Sequence, residues 1–291
     1  MRELLRFWTA GVGVDVDGVD DWLANELRTA GSGMLPTAES RPSGEPQCLL
    51  TIDSSKEGVS RFGGRDLDRD PQVAAATILT AVDRAALAAT RCLTIHAAAL
   101  EGAAGAAVVP GPSGMGKSTL AGAAMQSGLR LLSDEAACLD PDDLGVRPHA
   151  RPLGLSPTSR ALLGVDGPPT ESAQEWAVAP GLLGRCAPPS GSSPVALVVL
   201  AERVGGPAHW APASRADGAT ALLASCLNTG PAAAWSPEEA WVLVTRLMPG
   251  VTVARLRYDS PHDAAQLLLR RLSGSAETPA PLEREVATGP G

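Results

Sequence analysis

Apolar residues recur along the chain in two rhythms, and the rhythms take turns. Residues 12–16 and 251–258 alternate apolar and polar positions, the period of a half-buried strand. Residues 93–100, 104–110, 129–133 and 194–200 are short, nearly continuous apolar runs, as in strands covered on both faces. Residues 48–53 read as a further strand. Between these runs the spacing turns helical. Residues 71–90 set Val73, Ala76, Ile78, Leu79, Val82 and Leu87 at helical intervals, and 20–29, 119–126 and 219–226 also read as helices. Two more helices announce their starts. Ser236 precedes Pro237, Glu238 and Glu239, and Ser260 precedes Pro261, His262 and Asp263. A serine hydroxyl caps first-turn N–H groups, proline gives up no needed donor there, and acids meet the positive end of the helix dipole. These helices should run to about Met248 and Leu272.

The alternation from residue 93 onward predicts an α/β domain. Its central, mostly parallel sheet would use 93–100, 104–110, 129–133, 194–200 and 251–258, with helices on its flanks. Residues 1–65 are expected to form a small α+β lobe without catalytic groups, and residues 66–272 the main domain. Residues 136–192 are rich in Pro and Gly and read as irregular. Residues 273–291, rich in Pro, Gly and Glu, are expected to be a disordered tail.

Composition narrows the class. Of 291 residues 44% are hydrophobic and 19% charged, ordinary for a soluble domain, while only 3% are aromatic, so the core should be aliphatic. A net charge of −8 argues against a broad nucleic-acid surface. No run reaches the ~18 apolar residues of a membrane helix, and residues 1–8 hold too short an apolar core for a signal peptide. Five scattered cysteines without a C-x-x-C fit reduced thiols. The expectation is a cytoplasmic protein without nucleic-acid or membrane partners, with self-association left open.

The chemistry concentrates at Gly111-Pro112-Ser113-Gly114-Met115-Gly116-Lys117-Ser118-Thr119. This run fits G-x-x-x-x-G-K-[ST], the phosphate-binding P-loop, between an apolar strand and a helix. Glycines let backbone N–H groups close on phosphate oxygens, Lys117 reaches the β- and γ-phosphates, and the Ser118 hydroxyl suits Mg²⁺. Strand 129–133 ends at Asp134 and Glu135. An acid there can hold Mg²⁺ or accept a proton from an attacking hydroxyl. His96 sits in the strand expected beside the loop strand, where a polar ring needs a partner, and is expected to serve in the active site with Lys117 and Asp134. His149, His209 and His262 lie in polar or Pro-rich surroundings and are expected at the surface.

Together, His96-Ala97-Ala98, the loop 111–119, Leu131-Leu132-Ser133-Asp134-Glu135 and Arg151-Pro152-Leu153 resemble the catalytic domain of HPr kinase/phosphorylase and its smaller relatives. The resemblance covers about residues 90–160 and, more loosely, 196–203 and 256–259. It implies phosphoryl transfer from ATP or another nucleoside triphosphate, with Mg²⁺, to a serine-like hydroxyl of a peptide, a protein or a small molecule. It assigns the acid/base role to Asp134 and a metal role to Glu135, and it places Arg151 at the nucleotide. In the family a Glu-x-Arg-Gly-Leu-Gly signature follows the acids; here the stretch is His149-Ala150-Arg151-Pro152-Leu153-Gly154, which keeps the Arg without the acid. The competing readings are a nucleotide-driven switch and a nucleotide-binding scaffold without activity.

Overall fold

The computed structural model describes residues 2–35, 46–54, 60–166, 176–230 and 233–274. The expected tail lies outside these apart from Ser273 and Gly274, as do parts of the Pro- and Gly-rich stretches.

The chain begins with strands β1 (Arg2–Thr9) and β2 (Val12–Asp20), an antiparallel pair joined by a tight turn at Ala10 and Gly11. Helix α1 (Asp21–Ala30) follows, and β3 (Cys48–Ser54) returns parallel to β2. β4 (Ser60–Phe62) and β5 (Arg65–Asp66) complete a five-stranded sheet by antiparallel pairing. Helix α2 (Pro71–Ala89) is capped by the Asp70 side chain, which accepts from the Gln72 N–H. Its apolar spacing puts Ala74, Ile78, Leu79, Val82 and Ala86 on one face, which packs with Phe7, Val14, Val16, Leu23, Leu27 and Ile52. The N-terminal core therefore draws on residues as far as Ala86. Among the described residues α2 is the one helix long and apolar enough to cross a membrane by length and composition; here that apolar face is spent on a protein core.

The second unit is built on β6 (Leu93–Gly102), β7 (Gly105–Pro110), β8 (Arg130–Ser133), β9 (Ala136–Leu139) and β10 (Gly145–Arg147). β13 (Ser193–Arg203), β14 (His209–Pro212) and β15 (Thr252–Tyr258) complete its sheet. A short pair, β11 (Leu153–Leu155) and β12 (Trp176–Val178), stands apart. Helices α3 (Lys117–Gln126), α4 (Pro157–Leu163) and α7 (Pro261–Leu272) cover one face; α5 (Arg215–Ala224) and α6 (Pro237–Leu247) cover the other. Ser236 and Ser214 both form capping boxes, and Ser260 caps α7. The core is aliphatic on both faces, with Leu100, Val109, Leu120, Leu131 and Val199 on one and Leu93, Ile95, Val108 and Val198 on the other. A buried Val or Leu side chain contributes about 1.5–3 kcal/mol relative to an exposed one.

All five expected strands join this sheet, and the chain is mixed α/β. The expectation of a mostly parallel sheet is corrected. Among its described strands only β7, β13 and β15 pair in parallel, and the other strand pairings are antiparallel. For β6 the cause lies in one connection. Parallel neighbours need a crossover of a dozen or more residues, but β6 reaches β7 through Ala103 and Ala104 alone. Gly105 sits at that corner with φ +117, where a Cβ would stand 2.5 Å from the Pro194 carbonyl oxygen. β6 thus runs against its neighbours and separates β8 from β7. The stretch after residue 136, read as irregular, also holds β9–β12 and α4, strands too short to show a period.

Candidate functional site

The reversal of β6 builds the site. Ala97 pairs with Pro110, so His96 stands where β7 gives way to the Gly-rich loop, and the Gly111 N–H donates to the His96 carbonyl at 3.3 Å. On the other side, β8 and β9 both run antiparallel to β6, with a shift in the β8 register between Ala99 and Leu100. Ser133 faces Ala99 and Ala136 faces His96. Between them the chain bends at Asp134 and Glu135, and the Ala97 N–H donates to the Glu135 carbonyl at 3.2 Å. Where β7 ends, the chain after α5 takes its place: the His96 N–H donates to Ser225 O at 2.6 Å and the Leu227 N–H to Thr94 O at 2.8 Å.

The loop turns sharply into α3. Gly116 caps the helix at φ +86, a left-handed conformation that a side chain would strain. Lys117 opens the helix and is buried. Its ammonium donates to Gly111 O at 2.8 Å, Pro112 O at 2.9 Å and His96 Nε2 at 3.0 Å. An ammonium only donates, so His96 accepts at Nε2 and its neutral ring carries the proton on Nδ1. Burial, and then the charge of Lys117, push the His96 pKa down and keep that ring neutral. Burial also lowers the Lys117 pKa, against the pull of Asp134 and Glu135.

Asp134 is 5% exposed, and its Oδ1 has no hydrogen-bond partner. Burial pushes its carboxyl up to about 6, and the charge of Glu135 adds to the rise; a Ser118 hydrogen bond and the charges of Arg151 and Lys117 pull the other way. A buried carboxylate oxygen without a donor is costly, and such an atom marks a place where something else can bind. Glu135 is half exposed and pairs with Arg151 Nη2 at 3.2 Å. Arg151 Nη1 lies 3.4 Å from Asp83 Oδ2 on α2.

Behind Arg151 lies a second polar cluster. Asp83 Oδ1 is 2.6 Å from His149 Nε2, a close contact off the hydrogen-bonding axis, and His149 Nδ1 is 2.7 Å from Thr9 Oγ1. Burial works to raise the Asp83 carboxyl, but His149 and Arg151 outweigh it and hold the group below the usual carboxylate range.

Beside the loop a cavity of about 500 Å³ runs from His96, Pro112 and Met115 to Leu200, Cys226 and Arg255. Its walls are mainly apolar, and its size is that of small-molecule sites.

His96, Lys117, Ser118, Asp134 and Glu135 meet at one sheet edge with the loop glycines 111, 114 and 116, and Arg151 joins them through Glu135. Met115 lines the cavity and packs its Sδ under Gly111. Ser113 is exposed on the loop. Thr119 turns elsewhere, its Oγ1 sitting 2.7 Å from Ser159 Oγ of α4. His209 and His262 are exposed as expected, but His149 is a correction: it is wholly buried, because Thr9 and Asp83 supply partners from distant parts of the chain. Asp83 and the cavity wall after α5 escaped the sequence reading. A signal for Asp83 existed: it is an acid on the buried stripe of an apolar helix, beside Val82 and one turn from Leu79 and Ala86. Among the described residues, no group of three or more His, Cys, Asp or Glu side chains could hold a metal by itself. The oxygens of Asp134, Glu135 and Ser118 are hard donors of the kind that hold Mg²⁺ together with waters and substrate phosphates. No protein-family profile matches the chain, and no curated protein matches it.

Proposed function

We propose that the chain is a P-loop phosphotransferase that moves the γ-phosphoryl group of ATP, or another nucleoside triphosphate, to a hydroxyl. The observation that carries the reading is the Asp134 carboxylate: buried, raised to about 6, and left with an unpartnered oxygen beside Lys117 and Ser118 of the loop. The strand–loop–helix context of residues 105–126 supports phosphate binding by the loop amides and the start of α3.

Each residue then has a task. Lys117 transfers its hydrogen bonds from the Gly111 and Pro112 carbonyls to phosphate oxygens. His96, neutral and tied to the main chain, fixes the ammonium's position. The Ser118 hydroxyl, Asp134 and Glu135 would hold Mg²⁺, directly or through water; when bound, it neutralises charge on the phosphoryl oxygens. Asp134 takes the proton of the acceptor hydroxyl. With a pKa of about 6 it is mostly ionised at pH 7, yet a stronger base than an ordinary aspartate. The cavity beyond His96 borders the loop at Gly111, Pro112 and Met115, with His96 between it and Lys117, and is the place for the acceptor. The apolar walls favour an acceptor with an apolar body.

The test is single-turnover transfer from γ-labelled ATP, with hydrolysis to water as the fallback when the acceptor is not in hand. Asp134→Asn should lower turnover by ~10²–10⁴-fold while nucleotide still binds. A variant that binds nucleotide and keeps wild-type turnover would defeat the reading. Release of phosphate to water, undiminished by any hydroxyl acceptor, would point to the switch ATPase instead.

A further inference from the structure

We infer that the N-terminal unit is a strut of the catalytic edge: through Thr9, Asp83 and His149 it holds Arg151, and through Arg151 it orients Glu135. The inference rests on the phosphotransferase reading, in which Glu135 serves the metal.

The ties all converge on residues 148–151. The Ala10 N–H at the β1–β2 turn donates to Pro148 O at 2.8 Å. Thr9 Oγ1 meets His149 Nδ1 at 2.7 Å, and Asp83 of α2 touches both His149 and Arg151. Gly33 packs so closely that a Cβ there would stand 2.5 Å from Ala150 O. From the opposite side, the His149 N–H donates to Leu132 O of β8 at 2.6 Å, one strand residue before the acids' turn. The segment is clamped between the N-terminal unit and the strand that carries Asp134 and Glu135.

The choice of residues argues for positioning over adhesion. An apolar seam would join the two units as well or better, because buried ionic groups lose their hydration. Thr9, Asp83 and His149 are buried all the same. What they supply is direction. Asp83 takes one edge of the Arg151 guanidinium and leaves the other edge to Glu135, a use of the planar fork that lysine could not copy. Without Asp83 the guanidinium, 37% exposed, has among the described residues only Glu135 to follow, and the carboxylate loses its fixed partner. Partners behind a metal-holding group typically alter metal affinity by 10–100-fold.

The experiment measures ATP affinity by calorimetry across a Mg²⁺ series and in EDTA. The proteins are the full-length wild type, Asp83→Asn, Glu135→Gln and the double variant. Asp83→Asn should raise the Mg²⁺ concentration needed by about tenfold and leave affinity in EDTA unchanged, which a general loss of structure would not do. In the Glu135→Gln background it should add nothing, because both act through one group. Should Asp83→Asn fail to fold, Arg151→Lys keeps the charge, loses the fork and should give the same shift. The strut alone is overturned if Glu135→Gln shifts the Mg²⁺ requirement and neither Asp83→Asn nor Arg151→Lys does, or if the two effects simply add. If Glu135→Gln itself leaves the requirement unchanged, the metal role of Glu135 falls and the inference falls with it.

Discussion

Asp83 and Asp134 are both buried carboxylates that feel the charge of Arg151, yet their pKa values move in opposite directions. Asp83 sits between His149 and Arg151, with both oxygens in contact with a nitrogen, and its pKa falls. Asp134 has a Ser118 hydrogen bond on one side and an unpartnered Oδ1 on the other, and its pKa rises to about 6. Burial opposes ionisation at both sites, so the partners decide the sign. A charge whose cationic neighbours outweigh its burial belongs to the architecture. One whose burial wins, beside the loop lysine, belongs to the chemistry.

That contrast breaks first at turnover. Asp134→Asn should cost ~10²–10⁴-fold in single-turnover transfer, whereas Asp83→Asn, which acts through Arg151, should cost only about tenfold. Equal losses would erase the distinction.

Stability should divide the two sites next. Asp83→Ala leaves buried His149 without its carboxylate and Arg151 with Glu135 alone, and should destabilise the protein by about 1–3 kcal/mol in chemical denaturation. Asp134→Asn should do the reverse. The Asp134 pKa is raised on folding, from 3.8 to about 6. A raised pKa gives a contribution that is whole below the unfolded value and is lost as pH rises through the folded one. In EDTA the wild type should therefore lose stability between pH 4 and 6, by about 3 kcal/mol at 1.36 kcal/mol per pK unit. The Asn variant should be the more stable protein at pH 8, with the gap closing toward pH 4. A flat difference across that range would mean that Asp134 is ordinary.

The smallest effect concerns His96. Burial comes first and Lys117 second in lowering its pKa. Lys117→Met should raise it partway toward 6.5, as read by proton NMR of the ring; no movement would mean that the Lys117 charge contributes nothing.

The sequence was most legible where one residue type has one job. The loop glycines, Lys117, and the two Ser-Pro helix starts all follow from local rules, and the strands at 93–102, 193–203 and 252–258 follow from unbroken apolar or alternating runs. The direction of β6 was not legible, because pairing depends on the length of the Ala103–Ala104 link and not on periodicity. His149 was misread for the same kind of reason: its partners Thr9 and Asp83 lie 140 and 66 residues away along the chain, and nothing near it hints at burial. Asp134 and Glu135 were found as a pair, but their separation into a buried acid and a half-exposed one comes from the register against Ala97 and Ala99.

The central claim is that the edge formed by His96, the loop and Asp134 receives a nucleoside triphosphate with its metal. Calorimetric titration of wild type and Lys117→Ala with ATP, in Mg²⁺ and in EDTA, tests it most directly. The account predicts binding that Mg²⁺ strengthens in the wild type and that weakens by roughly ten- to a hundredfold in the variant, the worth of a charged hydrogen bond lost. Equal affinity of the two proteins, or no binding by the wild type in either condition, would contradict it.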